Sequence, residues 1–192
     1  MRRNGLVWMA AAVVILPAAS QAERHVYPLA EARVILSPRS AGRVLLDFAS
    51  MEDLQHVVVT SAFLEVPLPS AVRNEDLEVC VYALSRGWRG QEATWTAPWS
   101  RPGGDLDETY FEEVTIPAGQ SAGRLRLNVT QVVEEIVTAG TSSHGFVLTV
   151  PLRSREGFTI AERGLLGTMA GARLVVTTAN ARAAGEVGRR GG

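Results

Sequence analysis

Short runs of β-branched and aromatic residues, cut every few positions by glycine, proline or other turn formers, leave this chain little to fold into except antiparallel sheet. Arg43 to Phe48 alternates, with Val44, Leu46 and Phe48 on one face and Arg43 and Asp47 on the other. His56 to Leu68 is the longest run. Thr60, Ala62, Leu64, Val66 and Leu68 share one face there, Ser61 and Glu65 punctuate the other, and Pro67 and Pro69 mark its end or an edge position. Further runs are Ala32 to Leu36, Leu77 to Leu84, Glu113 to Ile116, Arg124 to Asn128, Phe146 to Leu152, Gly157 to Ile160 and Arg173 to Thr178. Eight or nine strands at such spacing predict an all-β fold, an antiparallel β-sandwich of jelly-roll type. Period-two spacing predicts that Val44, Leu46, Phe48, Ala62, Leu64, Val66, Val79 and Val81 meet in one core between two sheets.

One short helix interrupts the strands. Val129, Val132, Val133, Ile136 and Val137 recur at helical spacing, and Glu134-Glu135 opposite that stripe decide for helix against β propensity. Asn128 is placed to cap it, with Gln131 three residues on as in a capping box, and Gly140 to end it. Such a helix is expected to plug one open end of the sandwich.

The N-terminus reads as an export signal. Arg2 and Arg3 precede an apolar run from Leu6 to Leu16, and small residues at Ser20 and Ala22 stand where a signal peptidase reads. The run is too short to span a bilayer, so the expectation is cleavage after Ala22 and no membrane span afterwards. Removal of 22 of the 192 residues leaves 170, enough for one domain with a real core. The chain divides into a signal peptide over 1–22, a β-sandwich domain over 23–178 and a small, polar, Arg-containing tail over 179–192, expected to be disordered. The product is expected in the extracellular space, in the periplasm or on the cell surface.

Every basic residue is arginine, and the charges are interspersed with acidic ones, which argues against a nucleic-acid partner. The lone Cys80 rules out an internal disulfide framework and reads as a small buried hydrophobe.

Four segments in order resemble the DNRLRE-type domain, a family classed with carbohydrate-binding modules. They are Val44-Leu45-Leu46-Asp47-Phe48; Ser61-Ala62-Phe63-Leu64-Glu65-Val66; Val79 to Leu84 running to Trp88 and then Ala93-Thr94-Trp95-Thr96-Ala97-Pro98; and Leu127 to Val133 followed by Gly145 to Leu148 and Arg173 to Thr177. The resemblance spans roughly Ala32 to Thr178. It departs at Thr96, where family members carry Asn, and in an abbreviated N-terminal strand pair without the Asn-x-Gly loop. It implies a jelly-roll sandwich outside the cell, with a role in binding polysaccharide or building surface structures.

The residues offer two candidate sites. Trp88, Trp95, Trp99 and Tyr110 crowd into one long connection, Trp88 to Tyr110, and aromatic faces stack on the C–H faces of sugars. Trp88 and Trp95 are expected to anchor that loop. Trp99, flanked by prolines, is the expected exposed platform, with Tyr110 second. Asp105, Asp107 and Glu108 follow a Gly-Gly turn and are the candidate metal ligands, with calcium the cation such a turn could take. No cofactor is otherwise required. Enzyme chemistry is not expected. The three histidines lack metal-ligand spacing, no Gly-x-Ser-x-Gly elbow is present, and Glu134 and Glu135, as helix neighbours, point apart. The expected function is a secreted, non-catalytic binding module for polysaccharide. The alternative is a structural or adhesive protein of the cell surface or matrix, recognisable by an uncovered apolar edge strand.

Overall fold

The computed structural model describes residues 22–37, 42–55, 57–68, 76–120, 123–140, 143–149 and 169–179. The signal segment before Ala22, His56, Pro69, the end of the Phe146 to Leu152 run, the expected strand Gly157 to Ile160 and the tail beyond Ala179 lie outside those residues. Alternation produces eight strands among them: β1 (Ala22–Leu36), β2 (Gly42–Phe48), β3 (Val58–Pro67), β4 (Leu77–Leu84), β5 (Leu106–Ile116), β6 (Arg124–Asn128), β7 (Phe146–Thr149) and β8 (Arg173–Ala179). One helix, α1 (Thr130–Ala139), separates β6 from β7.

Hydrogen bonding runs in the order β5-β4-β7-β2-β1-β8-β3-β6, antiparallel throughout. The long β1 is shared. Ala22 to Pro28 pair with β8, Leu29 to Leu36 pair with β2, and the register shifts between Leu29 and Glu31. The strand turns a corner there, dividing the order into two layers, β1-β8-β3-β6 and β5-β4-β7-β2. That is the jelly-roll arrangement, a nearly closed sandwich with one short helix.

Inward residues of both layers form one core. Leu46, Ala62, Leu64, Val66, Val79, Leu127, Leu174 and Val176 are all fully buried in it, with Val44, Val81, Phe146 and Leu148 beside them. Phe48 packs against that core half-buried, edge-on to Phe146 with ring centroids 6.1 Å apart. The eight residues expected to meet do so. On the outer side of the first layer, Glu65 is buried between Arg173 at 2.7 Å and Arg126 at 3.5 Å, and Arg126 lies over the Phe63 ring.

Two strands are longer than the sequence suggests. Only Ala32 to Leu36 reads as strand in β1, because Pro28 and the charged residues around it break the alternation. Pro28 stands where the ladder leaves β8 for β2, a place where a missing N–H is least felt. In β5 only Glu113 to Ile116 looks apolar enough. The rest, Leu106 to Glu112, is an edge strand with both faces largely in water and so carries no apolar alternation.

The helix starts one residue later than its expected cap would place it. Val129 holds the N-cap position and makes no side-chain cap bond, so no capping box with Gln131 forms. Asn128 still serves the end, its Oδ1 accepting from the Thr130 amide at 3.1 Å and hydroxyl at 2.7 Å. Gly140 ends the helix as expected, in the left-handed conformation. Val133 is fully buried in the core, and the Thr130 hydroxyl accepts from the Ala62 amide at 2.8 Å, which docks α1 on β3.

Cys80 is 4% exposed. Burial first, and Glu113 beside it second, push its thiol up to about 11, so at neutral pH it stays an unreactive thiol.

Candidate functional site

The aromatic connection is a cover for one sheet. It spans Ser85 to Asp105, since Leu106 to Tyr110 belong to β5. Residues of odd phase on the second layer point away from the main core: Leu45 of β2, Val147 of β7 and Leu84 of β4, joined by Ile35 of β1. The loop supplies Trp88, Ala93 and Trp99 to bury them, with Trp95 and Leu106 packed alongside. Arginines fasten it down. Arg33 donates to the Ala93 carbonyl at 3.3 Å, Arg43 to that of Gly103 at 2.5 Å, and Arg86 to that of Pro98 at 2.8 Å. The Arg43 guanidinium also lies 5.4 Å from the centre of the Trp95 ring. Gly103 has φ +94, and a Cβ there would stand 3.0 Å from Trp95 and 2.9 Å from Arg43, so only glycine lets the loop pass.

This overturns the expected roles of two tryptophans. Trp99 is buried, 7% exposed, and its Nε1 donates to the Thr94 carbonyl at 2.8 Å. Its flanking prolines hold it against the sheet rather than out in solvent. Trp95 is the half-exposed ring, lying under Arg43. Trp88 is buried as expected, with its Nε1 lacking a hydrogen-bond partner among the described residues. None of the three presents an open ring face as a platform.

The acidic turn also works as an anchor. Asp105 accepts from the Ser100 hydroxyl at 2.6 Å, from the Ser100 and Arg101 amides, and pairs with Arg86 at 3.1 Å. Asp107 caps its own turn by accepting from the Thr109 amide. No three acidic, histidine or cysteine side chains among the described residues converge as metal ligands, so the candidate ligands Asp105, Asp107 and Glu108 do not come together as one group. The Ser100 hydrogen bonds first, with Arg101 and Arg86 behind them, hold the Asp105 carboxyl below the usual carboxylate range. A depressed carboxyl contributes stability above its unfolded value and loses it as pH falls through the folded one. Tryptophan emission from the loop is therefore expected to stay constant from about pH 7 down through the ordinary aspartate range near about pH 4. It should shift only below that. A transition centred in the ordinary range would show that Asp105 does not hold the loop.

Tyr110 leads elsewhere. Strands β5 and β6 end the hydrogen-bonded order and do not pair with each other. Between them and the start of α1 lies a cleft of about 230 Å³. Val81, Ala83, Val129, Val132 and Phe146 form its apolar lining, Tyr82 and Phe111 add two rings, and Tyr110, Glu112, Asn128, Thr130, Gln131 and Glu134 are its polar walls. The Tyr110 phenol lies close enough to Glu135 of α1 for that carboxylate first, and burial second, to raise the phenol pKa. Glutamates supply acceptors only. The amide of Asn128, whose oxygen is taken by Thr130, supplies a donor, and Gln131 supplies both. Sequence reasoning missed this cleft because its walls come from β5 and α1, which are distant in the chain and meet only through the jelly-roll order.

A second polar cluster joins β1, β8 and the turn after β2. Asp53 Oδ2 lies 3.3 Å from His25 Nδ1, His25 Nε2 lies 3.2 Å from the Thr178 hydroxyl, and Tyr27 donates to Asp53 at 2.7 Å. The connectivity is that of an acid–base–hydroxyl relay, but Thr178 is only 2% exposed, out of a substrate's reach. The cluster fastens the first half of β1.

No protein-family model matches the chain, and no curated protein matches it. The likeness to the DNRLRE-type domain rests on the four segments quoted above.

Proposed function

We propose that this chain is a secreted, non-catalytic binding module for polysaccharide, and that the cleft between β5 and β6 holds the ligand. One observation carries this reading. The cleft sets an aromatic ring, Tyr110, beside side chains that both accept and donate hydrogen bonds. Sugars need that combination, since each hydroxyl donates and accepts while the C–H face of the ring seeks an aromatic. The likeness to a carbohydrate-binding family supports it. Export follows from the N-terminal segment. Cleavage after Ala22 would take one residue from β1 and leave Glu23 to Pro28 paired with β8.

The alternative, a structural or adhesive subunit, calls for an uncovered apolar edge. The free edge of β5 instead carries Asp107, Glu108, Glu112 and Glu113, and that of β6 carries Arg124 and Arg126. Charged edge strands resist pairing with another chain, which favours the binding reading.

Electrophoresis of the protein through gels containing dissolved polysaccharides tests it. At least one polymer is expected to retard the protein, a chelator should leave the retardation unchanged, and Tyr110→Ala should abolish it while leaving the melting temperature within a few degrees. Unchanged retention of Tyr110→Ala would remove the ligand from this cleft.

A further inference from the structure

At the rim of the cleft, Phe111 is 60% exposed and stacks on Tyr82 with ring centroids 5.8 Å apart and planes 21° from parallel. Tyr82 and Phe111 line the same cleft as Tyr110 and Glu112, so the ring pair forms an exposed part of its rim on the edge strand β5. The Tyr82–Phe111 pair is the exposed ring surface that the tryptophans do not provide.

The charges around it are mostly acidic. Glu112 and Glu134 line the cleft, and Glu113 reaches Cys80 at 3.5 Å on the same outer face as Tyr82. Arg43, then Glu108 and Glu113, lie near enough to Tyr82 to act on its phenol, the arginine in the opposite sense to the two carboxylates. Neither β5 nor α1 contains a basic residue. No ion pair among the described residues includes Glu108, Glu112, Glu113 or Glu134, whereas Arg126 and Arg173 of the first layer are spent on Glu65 and Arg124 on the Gly171 carbonyl. Of the arginines, Arg43 acts on Tyr82, and its guanidinium is held by Gly103 and Trp95. Ring faces carry negative quadrupole potential, so rings and carboxylates here attract the same kind of ligand, a cation.

Resting on the cleft reading above, we propose that the ligand is an amine-bearing polysaccharide, a polymer of hexosamine units with free ammonium groups. One unit sits in the cleft against Tyr110, and the chain runs on along it to lay a further unit on Phe111 and Tyr82 at the rim. The C–H faces stack on the rings and the ammonium groups meet the glutamates. A polyuronate is repelled by the same carboxylates, and an N-acetylated or neutral polymer keeps the stacking but leaves the glutamates without a counter-charge.

The full chain is run through gels containing, in turn, largely deacetylated polyglucosamine, its N-acetylated counterpart, a neutral glucan and a polyuronate, each at low and at raised salt. Retention is expected to be strongest on the deacetylated polymer, about tenfold weaker or more on the acetylated and neutral ones, absent on the polyuronate, and weakened by salt. Phe111→Ala should weaken retention at an unchanged melting temperature. Glu112→Gln with Glu134→Gln should bring the deacetylated polymer down to the level of the acetylated one. Equal retention on both hexosamine polymers, or retention on the polyuronate alone, overturns the amine preference while leaving a polysaccharide module standing. Wild-type behaviour of both variants shows unspecific attraction between opposite charges and overturns it as well. Retention on none of the four polymers sinks the amine proposal and withdraws support from the binding reading beneath it.

Discussion

Leu64→Ala is expected to lower the stability of the fold by about 2–5 kcal/mol, the range for emptying a buried leucine site. Leu64 is fully buried, on a strand paired on both sides, with Leu174 of β8 and Leu127 of β6 opposite it in register. Its neighbours Ala62 and Val66 face the same core, so nothing flexible is at hand to fill the void. The next residue, Glu65, faces the other side and belongs to a different network, so the change stays within the core. Urea denaturation reads the effect. A shift below about 0.5 kcal/mol would be typical of a surface position and would contradict the assigned face.

Trp99→Ala is expected to be comparably damaging, about 3–5 kcal/mol, as for other large aromatic truncations at buried sites. The ring covers the outer face of the β5-β4-β7-β2 layer with Trp88 and Ala93, and its indole N–H satisfies the Thr94 carbonyl. Without it the loop loses its central plug, while Arg33, Arg43 and Arg86 still tether its backbone. The variant should melt at lower temperature, and limited proteolysis should begin within Ser85 to Asp105. Ligand retention by the fraction that stays folded should persist, since the cleft lies elsewhere. A variant that melts like the parent but no longer binds polysaccharide would return the platform to Trp99 and take it away from β5.

These two residues also show what the sequence makes legible. Leu64 could be assigned from its neighbours, because in a half-buried strand the period of two places every side chain once one is placed. Trp99 could not. A tryptophan between prolines is equally compatible with an exposed ring and with a ring folded under. The choice is made by Leu45, Val147, Leu84 and Ile35, an outward-facing apolar group assembled from four strands that needs a cover. β5 was legible only at its apolar end, since an edge strand wet on both faces has no period to read. The cleft depends on the two edge strands, β5 and β6, facing each other, a consequence of strand order that no local stretch of sequence contains. The acidic turn shows the same limit in electrostatics. Three carboxylates in four residues suggest a cation, whereas in the fold Asp105 finds Arg86 and the Ser100 and Arg101 amides instead.

Location of the ligand on the surface tests the account most directly. Hydrogen–deuterium exchange of the protein, alone and with a saturating soluble fragment of whichever polysaccharide it retains, is expected to show slowed exchange at residues 108–112 and 128–134, the two walls of the cleft, with the loop over residues 88–105 unchanged. Slowed exchange confined to residues 88–105, with both cleft walls unaffected, would contradict it.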